Sequence, residues 1–151
     1  MGDKKRNCEK GIDLLTKSGK TILEKRSLFY KTEPLDYTDQ DWFINCAVKI
    51  KTVLEPFELL DKIQSIEKSA GRKSCGIRFG PRILDLDIIF FDNIKVNSSR
   101  LVIPHPKMHK RRFVLKPFCD IEPLLVHPVL KKDMEFLLKK VDENKQKVYQ
   151  V

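Results

Sequence analysis

The feature that most constrains this chain is the alternating stretch Leu84-Asp85-Leu86-Asp87-Ile88. Successive side chains of a β-strand point to opposite faces, so Asp85 and Asp87 share one face and the aliphatic side chains the other. Adjacent carboxylates repel each other, and a hard divalent cation removes that repulsion. Because Mg²⁺ commonly binds one or two carboxylates together with phosphate oxygens, the stretch predicts a strand with a magnesium–phosphate site. Two solvated surface aspartates would give the same pattern.

Arginines precede this stretch. Arg78 and Arg82 lie just upstream of it, and a guanidinium group matches the geometry of a phosphate. The segment 71–82 holds three glycines and three arginines, Arg72 among them, a composition typical of a lid that closes over a nucleotide and excludes water. Solvated loop charges are the alternative interpretation.

Periodicity and turn residues predict an α+β protein. We expect helices over 3–17, capped by Asp3, over 56–70, over 108–115 and in the tail from Met134 to Val141. We expect strands over 21–31, 42–53 and 83–92, the last turning at Asp92-Asn93 into 94–96. This order favours a single domain over 1–151, with a ferredoxin-like mixed or antiparallel sheet and helices packed on it.

Composition narrows the class of protein. Thirty basic and twenty-one acidic residues give a net charge of +9, which suits polyanionic partners, although scattered lysines also make an ordinary solvated surface. No apolar run reaches the roughly 18 residues that span a bilayer, and the charged N-terminus is unlike a secretory signal. The four cysteines include no CxxC pair, which argues against structural zinc. We therefore expect a cytoplasmic protein with no membrane partner.

Several segments together resemble the 6-hydroxymethyl-7,8-dihydropterin pyrophosphokinase family. The run Gly-Pro-Arg-Ile-Leu-Asp-Leu-Asp-Ile-Ile at 80–89 resembles the family signature. Residues 29–35 are similar to its first pterin-side loop, and 43–48 to its aromatic-x-Asn strand. Residues 101–113 are similar to its ATP-side segment. These segments occur in the family's order and spacing.

The resemblance implies a folate-pathway enzyme that transfers pyrophosphate from ATP to the hydroxymethyl oxygen of the pterin and releases AMP. It implies that two Mg²⁺ ions are held by Asp85 and Asp87. The implied catalytic residues are Arg72, Arg82, Asp85 and Asp87. The implied ATP contacts are Glu67, Arg82, Arg100, His105 and Arg111. The implied pterin contacts are Thr32, Leu35, Phe43, Asn45, Phe79 and Phe113. Aromatic faces suit a flat heterocycle, and an amide offers a donor and an acceptor to its edge.

The chain also departs from the family pattern. Phe79 stands where the family usually has tryptophan, and the family's short N-terminal strand usually precedes the residues that match Gly2-Asp3. We expect that strand to be missing, which would leave neighbouring strands with unpaired backbone groups. An inactive truncated homologue and a basic ferredoxin-like RNA-binding module are the alternatives. The sequence lacks the Arg/Lys-Gly-aromatic-x-aromatic pattern of RNA-recognition strands, so we expect no nucleic-acid partner. The family resemblance implies a monomer.

Overall fold

The structure is a computed structural model that describes residues 2–35, 38–71 and 83–151. The helices of the described residues are α1 (Lys4–Thr16), α2 (Pro56–Gly71), α3 (Arg112–Ile121) and α4 (Met134–Lys140), with a 3₁₀ turn at Met108–Lys110. The strands are β1 (Thr21–Arg26), β2 (Tyr30–Thr32), β3 (Phe43–Asn45), β4 (Val48–Thr52), β5 (Val96–Asn97), β6 (Val102–Ile103) and β7 (Val148–Gln150).

The described strands form three antiparallel sheets. β1 pairs with β4, β2 lies between β3 and β7, and β5 pairs with β6. α3 packs against β2, β3, β4 and β7, and α1 packs on α2, β1 and β3. The predicted α+β class, with an antiparallel sheet covered by helices, is confirmed.

The first two helices follow from their capping residues. The Asp3 carboxylate accepts a hydrogen bond of 3.1 Å from the Arg6 N–H, which satisfies one of the unpaired donors of the first turn. Gly19, at φ +75°, lies in the left-handed region just after α1. Pro56 occupies the first turn of α2, where no intrahelical N–H is needed. The predicted apolar stripe of α2 is buried at Leu59, Ile63 and Ile66.

The long strands predicted over 21–31 and 42–53 are each divided in two. The division is stabilised by Ser27, whose N–H donates to the Ala47 carbonyl at 2.9 Å. The Ala47 N–H donates in return to the Ser27 hydroxyl oxygen at 2.8 Å. A side chain thus takes the place of a backbone acceptor between the β1–β4 pairing and the β2–β3 pairing.

The predicted strand over 83–92 is wrong, because this segment pairs with no described strand. The segment is extended, but its Leu86 N–H donates to Glu67 Oε1 at 2.7 Å and its Ile89 carbonyl accepts from the His105 N–H at 3.0 Å. The expected turn is present, with Asp92 at φ +48°, but no hairpin follows it. β5 pairs with β6 instead.

The predicted helix over 108–115 is interrupted at Arg111. Its backbone is extended there, at φ −114° and ψ 105°, between the 3₁₀ turn and α3. α3 then continues to Ile121, beyond the predicted end. Strand β7 was not predicted from the sequence.

Two apolar clusters form the core, and the segment 84–91 contributes to both. Leu84 packs in the first cluster with α1 and α2, joined by Leu86, Ile88 and Phe91. Ile89 and Phe90 pack against the second cluster, whose buried members are Met108, Leu115, Met134 and Leu137. The aspartate-bearing segment is therefore held between two helical layers.

Candidate active site

Asp85 and Asp87 are both exposed on one side of their segment. Leu84 is buried, and Leu86 and Ile88 are half-buried on the opposite side. The Glu67 carboxylate accepts the N–H of Leu86, the residue between the two aspartates. The predicted alternation of faces is therefore present without pairing to any described strand. Apolar packing and the hydrogen bond from Leu86 to Glu67 hold the extended backbone.

This pair of carboxylates suits a magnesium ion that arrives with phosphate. Among residues 2–35, 38–71 and 83–151, no group of three or more His, Cys, Asp or Glu side chains is placed to hold a metal. Mg²⁺ requires six oxygen ligands and usually takes one or two carboxylates, with substrate phosphates and waters completing its shell. The donor set at Asp85 and Asp87 fits that arrangement.

His105 lies close enough to Asp87 for their charges to interact, and burial favours its neutral form. Burial lowers the pKa of His105; the Asp87 carboxylate opposes that effect, and the positive charges of Arg111 and Lys107 add to it. Its Nδ1 accepts the Lys107 N–H at 3.2 Å, so the ring proton resides on Nε2, which can donate to a phosphate oxygen. The structure therefore brings Asp87, His105 and Arg111 together.

Arg111 also links this group to an aromatic ring. Its guanidinium carbon lies 5.6 Å from the centroid of the Phe113 ring, within the range of a cation–π contact. Both side chains are half-buried. The residues predicted for the nucleotide and for the pterin therefore adjoin at Arg111 and Phe113.

Three more of the predicted pterin residues lie on β2 and β3, and Leu35 follows β2 by three residues. The register places Thr32 opposite Phe43, and the Asn45 amide donates to the Thr32 hydroxyl at 2.6 Å. Thr32 is only 1% exposed, whereas Phe43 is 38% and Leu35 37% exposed. A buried hydroxyl bonded to a half-buried amide, with accessible apolar side chains on the same segments, is typical of a small-molecule site.

Arg100 is not brought into the group around His105. Its guanidinium nitrogen forms an ion pair of 2.6 Å with Asp61 on α2, where the two side chains are 54% and 64% exposed. Such exposed pairs contribute about 0–1 kcal/mol, so a nucleotide phosphate can compete for this arginine.

Three predicted residues, Arg72, Phe79 and Arg82, lie outside the described residues. The sequence also gave no role to Lys107, whose charge and backbone N–H both act on His105. The one feature of the sequence that could have indicated a role for Lys107 is its position two residues after His105.

Comparisons with known proteins identify the family. The model of the 7,8-dihydro-6-hydroxymethylpterin-pyrophosphokinase (HPPK) family matches residues 1–123. The chain is 41% identical over 121 residues to 2-amino-4-hydroxy-6-hydroxymethyldihydropteridine pyrophosphokinase of Bacillus subtilis, covering 80% of this chain and 72% of that protein. The chain belongs to the HPPK family. The predicted family is confirmed, and with it the prediction of a pyrophosphokinase of folate biosynthesis.

Other relatives of this HPPK chain are larger proteins. It is 40% identical over 121 residues to a folate synthesis bifunctional protein of Arabidopsis thaliana, covering 25% of that protein. It is 41% identical over 121 residues to the bifunctional protein FolKE of Lactococcus lactis subsp. cremoris, covering 34% of it. The HPPK chain thus spans about a quarter to a third of these two relatives. None of its described helices has the length and apolar character needed to cross a membrane.

Proposed function

We propose that this chain transfers the β,γ-diphosphate of ATP to the hydroxymethyl oxygen of 6-hydroxymethyl-7,8-dihydropterin. The oxygen forms a bond to the β-phosphorus while the bridge to the α-phosphate breaks; AMP leaves, and the hydroxyl proton is released to water. The observation that carries the proposal is the convergence of Asp87, His105 and Arg111 next to Phe113. Phosphoryl-type transfer depends mainly on positioning and charge neutralisation, which such a group provides.

On the nucleotide side, Asp85 and Asp87 would hold Mg²⁺, and two ions are expected. When bound, the metal neutralises charge on the transferred phosphates. Neutral His105 donates through Nε2–H, and Arg111 supplies a fixed positive charge. Glu67 keeps the aspartate segment in place through the Leu86 N–H. The remaining nucleotide contacts that we propose are Arg72, Arg82 and Arg100.

On the pterin side, Phe43 and Phe113 would hold the faces of the ring. The Asn45 amide, oriented by its hydrogen bond to Thr32, meets the polar edge of the pterin. Leu35 and Phe79 complete the set that we propose for this substrate. Exposed carboxylates at Asp85 and Asp87 argue against an RNA-binding surface, because they repel a phosphate backbone.

The remaining proposals concern the setting of the enzyme. We propose one domain over residues 1–151 that acts as a monomer in the cytoplasm, without a nucleic-acid or membrane partner. Size-exclusion chromatography with light scattering measures the oligomeric state, and a dimer would contradict the monomer proposal.

The test is to incubate the protein with ATP, Mg²⁺ and 6-hydroxymethyl-7,8-dihydropterin and to measure AMP against ADP. We expect AMP, with turnover lost in the double variant Asp85→Asn, Asp87→Asn. Asp92→Asn is the matched control, because Asp92 is exposed and asparagine tolerates its positive φ. A folded wild-type protein that makes no AMP would refute the activity, and full turnover in the double variant would refute the metal assignment.

A further inference from the structure

The C-terminal segment 142–151 lies outside the region matched by the family model, yet it contacts both sides of the site. On the pterin side, β7 pairs with β2, placing Val148 opposite Thr32. The Glu33 N–H donates to the Lys147 carbonyl at 3.0 Å. The segment therefore extends the sheet next to the buried threonine of the pterin side.

On the nucleotide side, two side chains of the segment make contact: Glu143 forms an ion pair of 3.7 Å with the Arg112 guanidinium group, and Gln146 bonds to the backbone. Gln146 Nε2 donates to the Lys110 carbonyl at 2.8 Å, and its Oε1 accepts the Arg112 N–H at 2.8 Å. A side-chain amide can do both because it carries a donor and an acceptor. The Arg112 N–H is one of the donors that a helix N-terminus leaves unpaired, so Gln146 caps α3 from 34 residues away.

The two backbone groups that Gln146 holds are those on either side of Arg111. Arg111 has an extended backbone between the 3₁₀ turn and α3, and it occupies the N-cap position of α3 without a capping hydrogen bond from its own side chain. The position of its guanidinium group over Phe113 thus depends on how the chain is held at residues 110 and 112.

We propose that Gln146 is a positioning residue that orients Arg111 toward the nucleotide. The proposal rests on the proposed function, in which Arg111 contacts ATP. Phe113 depends less on Gln146, because it lies inside α3, which is anchored by the fully buried Leu115. Loss of the Gln146 amide should therefore weaken the binding of ATP more than the binding of the pterin.

Two variants test the proposal. Gln146→Met keeps the length of the side chain but loses its two hydrogen bonds. Gln146→Ala loses the length as well as the hydrogen bonds. In each we expect the KM for ATP to rise about three- to tenfold, the range that loss of a hydrogen bond gives, and the KM for the pterin to change less than about twofold. Asn144→Ala is the control, since Asn144 is exposed and its contact with Asp142 is made by its backbone N–H.

A double-mutant cycle tests whether the effect passes through Arg111. In an Arg111→Ala background, Gln146→Met should change the KM for ATP no further, because the group that it positions is already gone. Wild-type kinetics in Gln146→Met, additive effects in the cycle, or an equal rise of both KM values would each overturn the proposal.

Two further readouts separate this proposal from a structural role and from the proposed function. Trp42 stacks on Tyr149 of β7, with ring centroids 5.8 Å apart, so its fluorescence reports whether β7 stays paired. Unchanged emission with weakened ATP affinity supports positioning, whereas changed emission with both substrates weakened overturns it. If the wild type makes no AMP, the proposed function fails, and the Kd for Mg·ATP then decides the role of Gln146. No measurable ATP affinity would overturn both.

Discussion

Replacing Thr32 by valine removes one hydroxyl group from the interior of the pterin side. Thr32 is 1% exposed, and its hydroxyl oxygen accepts the Asn45 amide at 2.6 Å. Valine has nearly the same shape, so the main change is a partly buried amide that loses its acceptor. Such losses cost about 1–2 kcal/mol. In a chain of this length, that lowers Tm by about 2–8 °C.

The same change should weaken pterin binding, because Asn45 is then free to rotate away from the edge of the substrate. If the whole cost appears in binding, the KM for the pterin rises about five- to thirtyfold, at about 1.4 kcal/mol per factor of ten. The KM for ATP should stay within about twofold, since Thr32 and Asn45 lie on β2 and β3 and are assigned to the pterin rather than to the nucleotide.

The chain offers a closely matched control in Thr21. This threonine is also 1% exposed, and its hydroxyl lies 2.8 Å from the Thr52 hydroxyl across β1 and β4. Thr21→Val should therefore lower Tm by a similar amount and leave both KM values unchanged. Steady-state kinetics and thermal unfolding measure these effects. Equal pterin KM values in the two valine variants, or failure of Thr32→Ser to restore binding, would refute the reasoning.

Three further predictions concern stability. Glu67→Ala should lower the free energy of unfolding in urea by about 1–3 kcal/mol, because the Leu86 N–H loses its acceptor, while Glu67→Gln should retain most of it. Burial, and then the charge of His109, lowers the pKa of His127 in the folded protein. As the pH drops below about 6.5, His127 is protonated in the unfolded chain before it is protonated in the folded protein, so the free energy of unfolding falls. His127→Asn, which can still accept from the following backbone N–H groups, should reduce the loss of Tm between about pH 7.5 and about pH 5.5; an unchanged loss would contradict this. Ser27→Ala should cost about 1–3 kcal/mol in urea unfolding by removing the acceptor of the Ala47 N–H, and a loss below about 0.5 kcal/mol would show that the division of the strands does not depend on it.

Local chemistry made much of this fold predictable. Asp3 and Pro56 mark helix starts through interactions within one turn, and the stripe of α2 follows from a period of 3.6 residues. The alternation around Asp85 and Asp87 correctly predicted which side chains are exposed. These features depend on neighbours along the chain, which the sequence displays directly.

The features that the sequence did not predict depend on distant partners. The segment 83–92 has the pattern of a strand, but whether it joins a ladder depends on which other segment runs beside it. Gln146 lies in a polar stretch, and its hydrogen-bond partners are 34 and 36 residues away, so no local period indicates its role. β7 was not predicted for the same reason. It is a short strand, and only its pairing with β2 distinguishes it from a loop.

The aspartate-bearing segment 84–91 packs against both apolar clusters of the protein, and this has a consequence for how the protein evolves. Any change that loosens either helical layer, even at Met134 on α4, shifts the backbone that aims the two carboxylates. Variants of the interior should therefore show reduced catalysis at temperatures where they are still fully folded. Selection for turnover and selection for stability then act on the same interior positions.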